Sequence, residues 1–205
     1  INGGHSMKKN ELKKTALVFA ADGCEEIEAL TQVDFLRRAG VEVTLCSVNR
    51  SREIHGAHGI VILGDALLSE CKDKTYDALI TPGGLPGSET LRDHPTVIAM
   101  LQTQAERGGL ICSICASPIV LEAAGLTRGR VGTSFPGFEE GLSYKEYREE
   151  IVWRDGNLIT ARGPATSVYF ALEIVRALLG EEAAEKLRVD ILQNLVEEQI
   201  CNAHQ

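Results

Sequence analysis

No apolar run in this 205-residue chain approaches the roughly 18 residues that a membrane-spanning helix requires. Lysine and arginine are nowhere clustered among aromatics, and 21 basic against 29 acidic residues leave a net charge of −8. Neither nucleic acid nor a membrane is therefore an expected partner. The six cysteines, at 24, 46, 71, 112, 115 and 201, lack the spacing of a disulfide framework. Reduced thiols and a cytoplasmic address are the expectation. A second C-x-x-C that could complete four zinc ligands is absent, and so is the phosphate-binding pattern G-x-x-x-x-G-K-[ST]. What remains is 44% hydrophobic and 24% charged, with six prolines. That composition suits one compact domain with a substantial core, acting on something small or on other proteins.

Ile1 to Ser6 precede Met7 and read as a tag remnant, leaving residues 7–190 as a single domain and 191–205 as a C-terminal tail. Along the domain, short β-type runs alternate with longer helical ones. Thr15 to Ala21 reads as a buried strand. Glu25 to Ala39 follows as a helix, with Ile27, Leu30, Val33 and Leu36 at helical spacing, acidic residues in its first turn and Arg37 and Arg38 in its last. Strands are expected at 41–48, 60–63, 77–81 and 110–114, and helices at 65–70, 95–107, 118–124 and 168–179. A hairpin turns around Asp155-Gly156. Near-continuous apolar strands alternating with helices imply an α/β fold, a mostly parallel sheet with helices on both faces. Right-handed crossovers place the strand-to-helix loops on one sheet edge, where such folds bind ligands.

Three loops on that edge carry chemistry. The first strand runs into Gly23-Cys24-Glu25-Glu26-Ile27-Glu28, the Asp77–Thr81 strand into Pro82-Gly83-Gly84, and the Leu110–Ile114 strand directly into Cys115-Ala116-Ser117-Pro118. Cys115 thus stands between strand and helix, as in a nucleophile elbow. A helix N-terminus there is expected to depress the thiol pKa from about 8.5 towards 5. Cys112, its C-x-x-C companion, falls within the strand and points to the opposite face. The other cysteines read as buried core residues. Of the five histidines, His5 and His204 sit at the ends, while His55, His58 and His94 precede the nucleophile and none immediately follows an expected strand. A Cys–His dyad is poorly supported, and a carboxylate from Glu25, Glu26 or Glu28 is the better-placed partner. Beside a thiolate it would have its pKa raised and could shuttle a proton. Periodicity leaves open which glutamate does so.

The set G-C-E-E-I-E-A at 23–29, P-G-G at 82–84, I-C-A-S-P at 114–118 and R-G-P-A-T-S at 162–167 resembles the ThiJ/PfpI superfamily. Within it, the resemblance is to the parkinsonism-associated protein deglycase branch and its bacterial relatives, over about residues 14 to 180. It implies a flavodoxin-like three-layer sandwich and a homodimer. It makes Cys115 the nucleophile, Glu28 its protonated partner, and the N–H groups of Gly84 and Ala116 an oxyanion hole. Gly83 and Pro164 would line the pocket. Arg38 matches a family arginine that reaches the neighbouring subunit's anion pocket, and His58 stands where a second family arginine would. Phe135-Pro136 replaces the histidine-proline of the human-type branch, which removes any role for that histidine. Ala116 follows the nucleophile where peptidase-like branches carry histidine.

The resemblance implies a cysteine-dependent glyoxalase or deglycase that needs no metal, glutathione or other cofactor. Its substrate would be a small aldehyde such as methylglyoxal, or an early glycation adduct. The alternative is a redox-sensing or chaperone-like protein whose Cys115 oxidises to sulfinic acid without turnover.

Overall fold

The computed structural model describes residues 12–203. The tag remnant, His5 and His204 lie outside them. The first half of the chain forms β1 (Thr15–Ala20), α1 (Glu26–Arg38), β2 (Glu42–Ser47), β3 (Glu53–His55), β4 (Val61–Leu63), β5 (Ala66–Leu67), α2 (Leu68–Cys71), β6 (Ala78–Thr81) and α3 (Gly87–Arg92). The second half forms α4 (Pro95–Glu106), β7 (Leu110–Ile114), α5 (Pro118–Ala123), β8 (Val131–Gly132), β9 (Glu146–Tyr147), β10 (Val152–Asp155), β11 (Leu158–Ala161), α6 (Ser167–Leu179), α7 (Glu181–Asp190) and α8 (Gln193–Ala203).

Seven strands make one sheet in the order β10-β11-β7-β6-β1-β2-β5, parallel throughout except for the β10–β11 hairpin. The strand order reverses between β1 and β6, as in a flavodoxin-like sheet, and a crevice opens outside the carboxyl ends of the strands on either side of that reversal. Alternation along β1 explains its unbroken apolar sequence. Ala16, Val18 and Ala20 join the core beneath α1, α6 and α7. Leu17, Phe19 and Ala21 join the core beneath α2 to α5. A strand buried on both sides has no position for a charged residue until it ends, so charged groups collect at its tip. Full burial of side chains such as Phe19, Leu17 and Ile80 contributes about 1.5–3 kcal/mol each.

Several elements depart from the sequence reading. In α1 the inward face carries Glu28, Ala29, Gln32, Val33 and Leu36, while Ile27 is 56% and Leu30 37% exposed. Val33 and Leu36 of the expected stripe do face inwards, but Ile27 and Leu30 do not, because two buried polar residues have specific partners inside. Gln32 Nε2 donates to the Ser167 carbonyl at 3.2 Å, tying α1 to α6. The expected helix at 65–70 is instead the edge strand β5, hydrogen-bonded to β2, followed by the single turn α2. The expected strand at 60–63 is β4, but it pairs with β3 in a separate antiparallel hairpin. Helix α3 was not foreseen, since 87–92 is too short to establish a period. The tail at 191–205 contains α8, which packs on α7.

Candidate active site

Cys115 sits where β7 ends, with φ +65°, one of two non-glycine residues in the left-handed region among the described residues. An L-residue there costs about 1–2 kcal/mol and persists only where its surroundings over-determine it. They do so here. Cys115 N–H donates to the Ala161 carbonyl at 2.9 Å, and the Cys115 carbonyl accepts from Phe135 N–H at 2.8 Å. Beneath the turn, Ser117 Oγ donates to the Thr81 carbonyl at 2.6 Å, accepts from Ile114 N–H at 3.0 Å, and lies 2.7 Å from Ser113 Oγ. All three hydroxyl residues, Thr81, Ser113 and Ser117, are fully buried. The sequence reading treated Ser117 only as a small residue permitting the turn. Its role as a hub depends on β6 lying beside β7, which no local pattern reveals.

Glu28 reaches the same point from α1. Its carboxyl is fully buried beside Cys115, with which it interacts, and its Oε2 accepts from Gly83 N–H at 2.7 Å. Oε1 has no hydrogen-bond partner among the described residues. A buried carboxylate oxygen with nothing donating to it is costly. A proton on Oε1, donated to sulfur, removes that cost. The Glu28 pKa is pushed up to about 7 by burial, opposed by the hydrogen bonds from Cys115 and Gly83.

The P-G-G turn completes the site. A Cβ at Gly83 would lie 2.5 Å from Glu28 Oε2 and 2.6 Å from the Cys115 Cβ, so only glycine leaves room for both groups. Gly84, at φ +86°, turns its N–H to the Cys115 sulfur, where the Ala116 N–H also points. Both tend to lower the thiol pKa. Burial first, and then the charge and hydrogen bond of Glu28, outweigh them and push the thiol up. The expected depression towards 5 is therefore not found. Helix α5 has only six residues, a weak dipole to set against a buried sulfur beside a carboxyl.

The remaining predicted residues divide. Phe135 holds the elbow through its backbone, and its ring, 43% exposed, stands over Gly163 just before the half-buried Pro164. His58 lies in the β3–β4 turn. Its N–H and Nδ1 meet the Glu26 carboxylate at 2.7 and 2.9 Å. Burial works to raise Glu26, but the hydrogen bonds from His58 outweigh it and hold the carboxyl below its usual range. The hydrogen bond to Glu26 and its charge raise His58 in turn. Glu25 accepts from Glu28 N–H at 2.7 Å as the helix N-cap. Glu25, Glu26 and His58 bring ligand atoms within 4.8 Å of one another, but both carboxylates are already engaged with N–H groups of the helix start and hairpin. Arg38 is not brought to this site. It lies at the far end of α1, about 15 Å along the helix from Glu28, in an exposed pair with Asp34 at 2.8 Å.

A strained cysteine at a strand–helix elbow, facing a buried glutamate across the switch point of a parallel sheet, defines a cysteine-centred flavodoxin-like protein. The DJ-1/PfpI family model matches residues 14–177, and the chain belongs to that family. It is 37% identical to protein dj-1beta of Drosophila melanogaster over 88% of this chain and 98% of that one. It is 36% identical to the glutathione-independent glyoxalase DJR-1.2 of Caenorhabditis elegans over 85% of this chain and 94% of that one. Among solved structures, oxidized DJ-1 of Toxoplasma gondii superposes with a TM-score of 0.84 at 36% identity, covering 87% of this chain and 98% of that one. No helix among the described residues is long and apolar enough to cross a membrane.

Proposed function

We propose that this DJ-1-type protein is a cofactor-free, cysteine-dependent glyoxalase, acting on methylglyoxal-like aldehydes or early glycation adducts. The observation that carries the reading is the contact between the Cys115 sulfur and the buried Glu28, whose Oε1 has no other partner. Below about pH 7 the pair holds two protons. Above it the pair holds one, which can sit on sulfur or on carboxyl. Transfer of that proton to Glu28 creates the thiolate.

The sulfur then attacks the aldehyde carbon of methylglyoxal, and the carbonyl π electrons move to oxygen. The Gly84 and Ala116 N–H groups, which lie beside the sulfur, would receive that oxyanion. Glu28 protonates it, giving a hemithioacetal, and as carboxylate removes the C–H proton of the former aldehyde carbon. Reprotonation of the neighbouring carbon from Glu28 yields a lactoyl thioester. Water attacks that thioester and the sulfur leaves, so methylglyoxal plus water becomes lactate and a proton. The similarity to a named glutathione-independent glyoxalase supports this reading. The test is lactate release from methylglyoxal without glutathione. It is expected to vanish in Cys115→Ala and Glu28→Ala, and turnover surviving in either variant refutes the mechanism.

The second reading is oxidation of Cys115 to a sulfinate held by the same N–H groups and by protonated Glu28, supported by the lack of another partner for Oε1. Peptide mass spectrometry after mild peroxide separates the two. Loss of lactate production with no oxygen gained at Cys115 rejects it. We also propose, from family resemblance, a cytoplasmic homodimer, in which exposed Ile27, Leu30, Ile60 and Val61 would find cover.

A further inference from the structure

A second set of sulfur atoms lies away from Cys115. Cys46 stands on β2 and Cys71 closes the single turn α2; both are fully buried. The two thiols interact: Cys46 is pushed up by burial and further by Cys71 beside it. Tyr76 interacts with the same pair, and all three side chains belong to the core cluster beneath α2 to α5. The topology explains the encounter. β5 places Ala66 beside Cys46 in the sheet, and α2 begins two residues later, folding Cys71 back against β2. Nothing in the sequence marks the pair, which is 25 positions apart and was read as two separate core residues.

Two thiols in contact are one two-electron oxidation away from a bond. A cavity of about 430 Å³ between α4 and residues 72–76 has Tyr76 in its wall, so this ring touches both the cavity and the Cys71 sulfur. The helix that would have to shift is one turn long. Leu67, Leu68 and Ser69 at its start line a separate cleft.

We propose that Cys46 and Cys71 form a modification site, converted by peroxides into an intrachain disulfide. One sulfur attacks the terminal oxygen of a hydroperoxide, giving a sulfenic acid and releasing an alcohol, or water when the oxidant is hydrogen peroxide. The other sulfur attacks the sulfenic sulfur, the S–S bond forms, and the hydroxyl leaves as water with the second thiol proton. The thiols lose two electrons and two hydrogens, and the peroxide is reduced. The closed loop contains the β3–β4 hairpin, whose His58 rests on Glu26 at the start of α1. Oxidation at this second site therefore fastens both ends of a segment that contacts the start of α1.

The experiment uses the full chain carrying Cys115→Ser, so that its outcome is independent of the nucleophile. Hydrogen peroxide is added, free thiols are blocked with N-ethylmaleimide under denaturing conditions, and the protein is digested without reductant. The expected product is a linked peptide pair containing Cys46 and Cys71, two hydrogens lighter than the sum and separated by dithiothreitol. The oxidised protein should melt several degrees higher than the reduced one, because the cross-link restricts the unfolded chain. Cys71→Ala should lose both the link and the rise. Oxygen added to either cysteine without a link, both cysteines recovered as maleimide adducts, or either one bonded to Cys24, Cys112 or Cys201 would overturn the proposal.

Discussion

Cys112 and Cys115 are three residues apart on one strand, and their surroundings differ in almost every respect that matters to reactivity. Cys112, in the middle of β7, is fully buried, on regular backbone, and pushed well up by burial. Cys115, at the strand's carboxyl end, is pushed up as well. Thiol acidity therefore does not distinguish them. What distinguishes them is the company of the sulfur: a glutamate able to exchange a proton with it, two N–H groups beside it, and a left-handed backbone turn at the end of the strand. Cost is part of the same contrast. The middle of the strand is an ordinary core position. Its end combines a strained φ with a buried carboxyl lacking one partner, a combination sustained by the hydroxyl network beneath it.

The largest test of that contrast exchanges the two cysteines for alanine. Cys115→Ala is expected to abolish lactate formation from methylglyoxal, whereas Cys112→Ala should keep the starting rate, measured by enzymatic lactate assay. Equal losses in the two variants would remove the distinction.

Next comes Glu28→Gln, which keeps shape but cannot exchange the proton. Activity should fall by about 10²–10⁴-fold. The pH profile sharpens the point: wild-type kcat/KM should rise with pH through about 7, the Glu28 value, and this limb should disappear in the variant. Stability should move the other way. A carboxyl whose folded pKa is raised contributes stability below its unfolded pKa, and that contribution is lost as pH rises through about 7. Glu28→Gln should thus be more stable than wild type at pH 8, by about 2 kcal/mol, with the gain shrinking towards pH 5. Paired urea titrations at the two pH values measure it.

A smaller effect probes the support beneath the elbow. Ser117→Ala leaves the Thr81 carbonyl, Ile114 N–H and Ser113 hydroxyl short of a buried partner. It should cost about 2–3 kcal/mol by urea unfolding and lower kcat more than it raises KM. The smallest effect belongs to the rim. His58→Gln keeps a hydrogen bond to Glu26 but not the charge, and should alter kcat/KM only at pH values where His58 is protonated. A loss as large as that of Glu28→Gln would move the proton chemistry to the hairpin.

Much of this arrangement was legible in the chain. The Leu110–Ile114 strand, the Cys115 elbow and the Glu25 helix start each rest on local chemistry: an apolar run, small residues after a strand, and an acidic side chain capping free N–H groups. The face of α1 was not legible, because Ile27 and Leu30 satisfy a helical period while Glu28 and Gln32 occupy the inside. A buried polar residue is stabilised by its partner, and here the partners are on β7, the P-G-G turn and α6. The strand-or-helix error at 65–70 has the same origin. Two residues become β5 only because β2 offers an open edge.

By itself the sequence determined the main parallel strands and the long helices between them, the edge on which loops would gather, and the cysteine at the end of β7. These follow from side-chain periodicity and backbone preference within a few residues. The tertiary structure decided which glutamate meets the sulfur, the upward shift of the thiol pKa, the hydroxyl support beneath the turn, and the meeting of Cys46 with Cys71. Each of these depends on burial and on groups distant in the chain, and the energy of a buried polar contact is defined only once both partners are in place.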